Sequence, residues 1–243
     1  MKAHFVKTSN YNNFITMLAG VEAQAPKEGR IINVNGEPGS GKSRAMDHIG
    51  AERNAIYIEG MPGMTVTYLR ELLAHELGCS GGSMFRQQQA INKAFADRQP
   101  MVILDEAQHG LNKKAECIEF LRRTCEQVGS VLVLVCHTSE KHRFGEHKLA
   151  HISTRISAVV EFAPATLEDC ALYLKELCEV EVDSGVVAQA LQQSRGRYRL
   201  LSNACRTLED YALTKGQVML TAEDVKGVML CEDAMKSLRK GLK

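Results

Sequence analysis

Gly36-Glu37-Pro38-Gly39-Ser40-Gly41-Lys42-Ser43 forms a complete G-x-x-x-x-G-K-S loop, and its neighbours decide the fold. The apolar run Ile31-Ile32-Asn33-Val34 precedes it, and a helix-compatible stretch from Arg44 to Ala51 follows. That strand–loop–helix order is the setting in which such a loop cradles phosphate. Glycines let backbone N–H groups turn inward around phosphate oxygens, and the helix N-terminus adds positive potential. Lys42 has the reach for β- and γ-phosphates, and the Ser43 hydroxyl suits Mg²⁺. Residues 36–43 are thus the expected contacts of a nucleoside triphosphate.

A second motif indicates what happens to that nucleotide. Met101-Val102-Ile103-Leu104 has the continuous apolar character of a strand buried on both faces, and it ends in Asp105-Glu106. A carboxylate at that strand end, beside the phosphate loop, is placed to hold Mg²⁺ directly or through water. The adjacent Glu106 can polarise an attacking water as a general base. The pair favours ATP hydrolysis over mere binding.

Outward from these motifs, strands and helices alternate. Candidate strands are 31–35, 55–59, 101–105, 131–136 and 157–162, with helical stretches near 42–52, 64–78, 84–97 and 113–128. This alternation predicts a parallel five-stranded sheet with helices on both faces. Ligands in such sheets sit at the carboxyl ends of strands, which should gather the loop, Asp105-Glu106 and the end of strand 131–136. From Pro164 onward the pattern is helical, near 166–179, 184–194, 198–214 and 221–231. The expected organisation is a nucleotide-binding αβα core over 1–163 and a small all-helical lid over 164–243. The lid ends in a short basic tail of Lys236, Arg239, Lys240 and Lys243.

Composition narrows the function classes. With 243 residues, 44% apolar and 24% charged, the chain can bury a sizeable core. A net charge of +1 produces no global field for nucleic acid, so any such surface must be local. Eight cysteines without a C-x-x-C pair read as small core residues in a reducing cytoplasm. No run is long enough to cross a membrane. The patch Phe14 to Val21, followed by Ala23-Gln24-Ala25, mimics a signal-cleavage site. Polar residues precede it instead of a basic segment, and Phe14, Leu18 and Val21 have helical spacing, so a packing helix is expected. Histidines 137, 142, 147 and 151 lie close in sequence, but their Lys and Arg neighbours do not supply a metal-ligand set.

Three further positions complete a recognisable order. His137-Thr138-Ser139 ends strand 131–136, Arg155 stands just before the last strand, and Gly196-Arg197-Tyr198-Arg199 opens a lid helix. After the two stronger motifs, this order resembles the first sensor, arginine finger and second sensor of AAA+ ATPases. Within that superfamily the chain looks like the transposition ATPases, among them the B protein of phage Mu and the helper ATPases of transposons and insertion sequences. The matching text is the GEPGSGKS loop, LDEAQ at Leu104–Gln108, STRI at Ser153–Ile156 and FAP at Phe162–Pro164. The resemblance implies an ATP- and Mg²⁺-dependent homo-oligomer, a ring or filament on duplex DNA, that recruits or regulates a transposase. It also implies that His137 or Thr138, as first sensor, and Arg199 contact the nucleotide and that Arg155 serves catalysis from a neighbouring subunit, although the first-sensor position commonly holds Asn. A helicase- or initiator-loading ATPase shares the same core and is the alternative. For sequence-nonspecific DNA contact, the candidates are Thr65, Thr67, Arg70, Ser83 and Arg86, because hydroxyls and arginines suit phosphate positioning without base readout.

Overall fold

The computed structural model describes residues 1–144 and 150–231. His147 and the basic tail from Lys236 to Lys243 lie outside the described residues. Contacts group the chain into two compact units. One comprises Asn13–Gly36 and Lys42–Phe162; the other comprises Met1–Asn12, Glu37–Gly41 and the chain from Ala163 onward.

In the sheet unit, helix α1 (Ser9–Gln24) leads to strand β1 (Ile31–Gly36), the loop, and helix α2 (Lys42–Arg53). Strand β2 (Ile56–Glu59), helices α3 (Val66–Glu76) and α4 (Met84–Arg98) and strand β3 (Val102–Asp105) follow. Helix α5 (Asn112–Val128), strand β4 (Leu132–His137), the short helices α6 (Lys141–Phe144) and α7 (Ala150–Ser153), and strand β5 (Ile156–Phe162) complete it. The five strands are parallel, in the order β2-β3-β4-β1-β5. Each expected strand is present to within a residue or two. As expected of a packing helix, α1 buries Phe14, Leu18 and Val21.

Period-2 alternation divides the side chains between two faces. Ile56, Ile58, Val102, Leu104, Leu132 and Leu134 form one apolar cluster with Leu69, Leu73, Ile91, Phe95, Ile118 and Leu121 of α3, α4 and α5. On the opposite face, Tyr57 and Ile103 lie against α2, each within 4 Å of where a Cβ on Gly50 would stand. The same alternation sends Asp105 and His137 toward the α2 face.

The other unit packs helices α8 (Leu167–Leu177), α9 (Ser184–Ser194) and α10 (Tyr198–Lys215). Its core is built on Leu174, Leu177, Val186, Leu201 and Leu208, with Val6 from the N-terminal segment. The Met1 ammonium pairs with Glu179 at 3.0 Å and Glu209 at 2.7 Å. Asp169 fastens the same segment: its carboxylate accepts from the Ser9 amide at 2.8 Å and the Ser9 hydroxyl at 2.6 Å, while closing the capping box of Thr166.

Two features depart from the sequence reading. A parallel pair, β6 (Glu181–Val182) with β7 (Met219–Leu220), joins the helical unit; two-residue strands leave no periodicity to read. The helix expected over 221–231 is a series of turns. Its start signal is real, since the Thr221 amide and hydroxyl both donate to Asp224. Helix does not propagate because Gly227 takes φ +79°, and α9 claims the backbone. Gln189 and Gln193 donate to the carbonyls of Val225 and Val228, and the Gln193 carbonyl accepts from the amides of Leu230 and Cys231. All eight cysteines are free and seven are buried. Burial pushes the Cys170 thiol up to about 12, which suits packing and not nucleophilic chemistry.

Candidate active site

The parallel order brings the carboxyl ends of β1, β3 and β4 side by side. Gly36 is in register with His137, Leu104 with Leu134, and Glu59 of β2 with Asp105. The loop thus leaves the sheet where the two other motifs end, at the reversal of strand order where such sheets bind ligands.

Gly39 and Gly41 take φ of +84° and +86°, a region open to glycine, so the G-x-G spacing is a backbone requirement. Lys42, 8% exposed, curls back over the loop and donates from Nζ to the Gly36 carbonyl at 2.6 Å. The Ser40 hydroxyl is buried without a partner among the described residues. A buried ammonium bound to the loop's own backbone and an unsatisfied hydroxyl in its turn fit a site built for anionic oxygens. Residues 37–41 pack on the start of α10. A Cβ on Gly39 would meet Arg199 and Arg197 at 3.6 and 3.7 Å, one on Gly41 would meet the Tyr198 ring at 3.5 Å, and the Arg199 amide donates to the Gly39 carbonyl at 3.4 Å. The second-sensor candidate therefore lies against the phosphate loop.

Both oxygens of buried Asp105 are held. Oδ1 accepts from the Glu106 amide and Oδ2 from the Tyr57 hydroxyl, each at 2.8 Å. Burial, and then the Asp105 carboxylate, push the Tyr57 phenol well above its usual range, so it stays a donor. Asp47, one helical turn beyond exposed Ser43, has its carboxyl raised by burial and then by the charge of Asp105. Asp47 and Asp105 thus lie close enough for their charges to couple.

Glu106 adopts φ +50°, a left-handed backbone unusual for a side-chain-bearing residue. Its carboxylate accepts from Gln108 Nε2 and lies 3.4 Å from His137 Nε2. Gly60 makes this turn possible. Its amide donates to the Asp105 carbonyl at 2.8 Å, and a Cβ there would stand 2.6 Å from the Glu106 carbonyl oxygen. Tyr57 and Gly60 carry no signature in a linear reading, whereas Gln108 closes the LDEAQ text. The one available clue was that β2 ends beside Asp105 once the sheet is parallel.

Arg155 is not brought to its own chain's loop. Ile156, next to it, pairs with Ile31 at the amino end of β1, five residue steps from Gly36, or roughly 17 Å along the strand. Its guanidinium pairs at 2.6 Å with Glu126, which also bonds Arg122. Of the DNA candidates, Thr65 and Ser83 are N-caps, accepting from the amides of Tyr68 and Arg86. Arg70 donates to Gln88 at 3.1 Å and lies over the Phe120 ring, whereas Thr67 and Arg86 are exposed. Among the described residues no group of three or more His, Cys, Asp or Glu side chains is placed to hold a metal, and no helix is long and apolar enough to cross a membrane.

The comparisons agree with this geometry. The family model described as an AAA domain matches residues 25–144. No curated protein matches the chain. Among solved structures it is similar to the ORC2 protein of Aeropyrum pernix in ADPNP–ADP complexes, at 14% identity and a TM-score of 0.68, covering 94% of this chain and 70% of that one. Domain III of the Thermotoga maritima replication initiation protein DnaA aligns at 14% identity and a TM-score of 0.60, covering 93% and 92%. The Thermotoga maritima RuvB Holliday junction branch migration motor aligns at 15% and 0.59, covering 91% and 68%. The phosphate loop, the Asp105-Glu106 strand end, the strand order and the matched family together identify residues 25–144 as an AAA-family ATPase domain, which binds and hydrolyses nucleotide.

Proposed function

We propose that the chain is an ATP- and Mg²⁺-dependent AAA+ ATPase that assembles on duplex DNA and uses its nucleotide cycle to place a partner protein there, in the manner of an initiator or helicase loader. The observation that carries it is the near-complete overlap with domain III of a replication initiation protein, supported by the similarity to ORC2. Lys42 and the loop amides would bind the phosphates. Ser43 and Asp105 would hold Mg²⁺, which would neutralise charge on the phosphate oxygens. Glu106 would accept a proton from the attacking water, with Gln108 and His137 fixing its carboxylate. Arg199, against the loop, would sense the nucleotide. Exposed Arg86 and Thr67 are the side chains best freed for DNA phosphates.

A second reading, recruitment of a transposase, is favoured by the GEPGSGKS, LDEAQ, STRI and FAP sequence text. Both readings require DNA binding that depends on ATP, falls steeply with salt through counterion release, and varies little with sequence. Fluorescence anisotropy on labelled duplexes, with and without a nonhydrolysable ATP analogue, tests this; equal binding without nucleotide overturns both. Crosslinking of the ATP-analogue–DNA complex in source-cell extract separates them. A replicative helicase or initiator captured by mass spectrometry supports loading, and a transposase supports the second reading.

A further inference from the structure

Asp105 is expected to support the metal on the nucleotide, yet carboxylates at strand ends are free to rotate about two side-chain torsions. Here the rotation is blocked. Tyr57 is in register with Ile103, two residues before Asp105 and on the same sheet face, so its ring runs diagonally along β3 toward the carboxylate. The hydroxyl then donates to Asp105 Oδ2 at 2.8 Å, while Oδ1 accepts the Glu106 amide at 2.8 Å. The ring is braced from the other side by α2, where a Cβ on Gly50 would lie 3.8 Å from it. A carboxylate offers about four lone-pair sites, so each oxygen keeps one for a metal-bound water or the metal itself.

We infer that Tyr57 is a positioning residue for nucleotide hydrolysis: its hydroxyl fixes the plane of the Asp105 carboxylate so that the remaining lone pairs face the metal on the nucleotide. This rests on the reading of Asp105 as a metal-supporting carboxylate. Outer-shell partners of this kind commonly govern metal affinity as strongly as they govern rate, because they remove the need to order the ligand on binding.

The test uses the full chain and a readout independent of turnover. Mn²⁺ is titrated into the protein–ADP complex and followed by electron paramagnetic resonance, with ADP affinity measured separately in EDTA. Tyr57→Phe keeps the ring and its packing, so ADP affinity without metal should be unchanged while Mn²⁺ binds about 10-fold more weakly. Asp105→Asn should weaken Mn²⁺ by at least as much, and the double variant should be no weaker than Asp105→Asn alone. Wild-type Mn²⁺ affinity in Tyr57→Phe overturns the inference. So does the same loss on top of Asp105→Asn, which would place the hydroxyl's effect elsewhere. Undiminished Mn²⁺ affinity in Asp105→Asn itself would overturn the metal reading of Asp105 and the inference with it.

Discussion

Glu106 shows how one side chain depends on the backbone around it. At φ +50° its turn is held by the Gly60 amide, and no Cβ fits between Gly60 and the Glu106 carbonyl. Gly60→Ala must therefore push the Asp105-Glu106 turn away from β2. Displacements near 1 Å at a reacting group cost about 10²-fold in rate, so ATPase kcat should fall by that order with nucleotide affinity nearly kept. Stopped-flow binding of fluorescent ATP beside steady-state turnover checks the split; a wild-type kcat would mean the turn is not part of the machinery. Lys42→Ala and Glu106→Gln should fail in opposite ways. The first should lose ATP binding; the second should bind ATP, hydrolyse it very slowly and form longer-lived complexes on DNA. A wild-type rate in Glu106→Gln would remove it as the base. The motif residues of this site were legible because phosphate chemistry demands fixed residue types at fixed spacing. Tyr57 and Gly60 were not, because each acts through a contact between β2 and the end of β3, where many residue types could stand.

At the scale of elements, Asp169 joins two segments 160 residues apart. It closes the Thr166 capping box of α8 and accepts both the amide and the hydroxyl of Ser9. Burial raises its pKa, but the bonds from Ser9 and Thr166 outweigh that, and the carboxyl is held below its ordinary value. A depressed folded pKa contributes stability that is full above the unfolded value, about 3.9, and is lost as pH falls through the folded one. Asp169→Asn keeps the shape and does not titrate. It should be less stable than wild type at pH 7 by at least the ~1 kcal/mol of an N-cap, and the gap should narrow below about pH 4. Urea unfolding followed by circular dichroism at pH 7 and pH 3.5 measures it; a gap constant with pH would remove the charge from the explanation. Strands and long helices were legible because burial on one or both faces imposes a period. The turns over 221–231 were not, since Thr221 and Asp224 begin a helix that Gly227 and the amides of Gln189 and Gln193 then prevent. A local start signal lost to a tertiary contact.

At the scale of the whole molecule, the position of Arg155 bears on the expectation of sites shared between subunits. It stands at the amino end of β5, beside Ile31, whereas Gly36 and Lys42 stand at the other end of β1. A guanidinium on a side chain of that length does not span roughly 17 Å, five strand residues, to its own loop. Its present partner, Glu126, also bonds Arg122, and the neighbouring Glu119 is held at about 2 by Arg122 and Arg123 against the cost of burial. Arg155 is thus held by a charged cluster and its side chain is 36% exposed. If it completes a neighbouring subunit's site, Arg155→Ala should leave ATP binding by the isolated chain intact and lower DNA-stimulated hydrolysis by about 10³-fold or more, the effect of such arginines in other phosphate-loop enzymes. Lys42→Ala should be inactive for the complementary reason, with an intact arginine and a broken loop. Mixed assemblies then contain sites in which an intact loop faces an intact Arg155, and activity should reappear, rising and falling with the mixing ratio. Size-exclusion chromatography with light scattering establishes that both variants fold and co-assemble. Absence of rescue at every ratio in such co-assemblies would take Arg155 out of the active site and leave its pairing with Glu126 as its role.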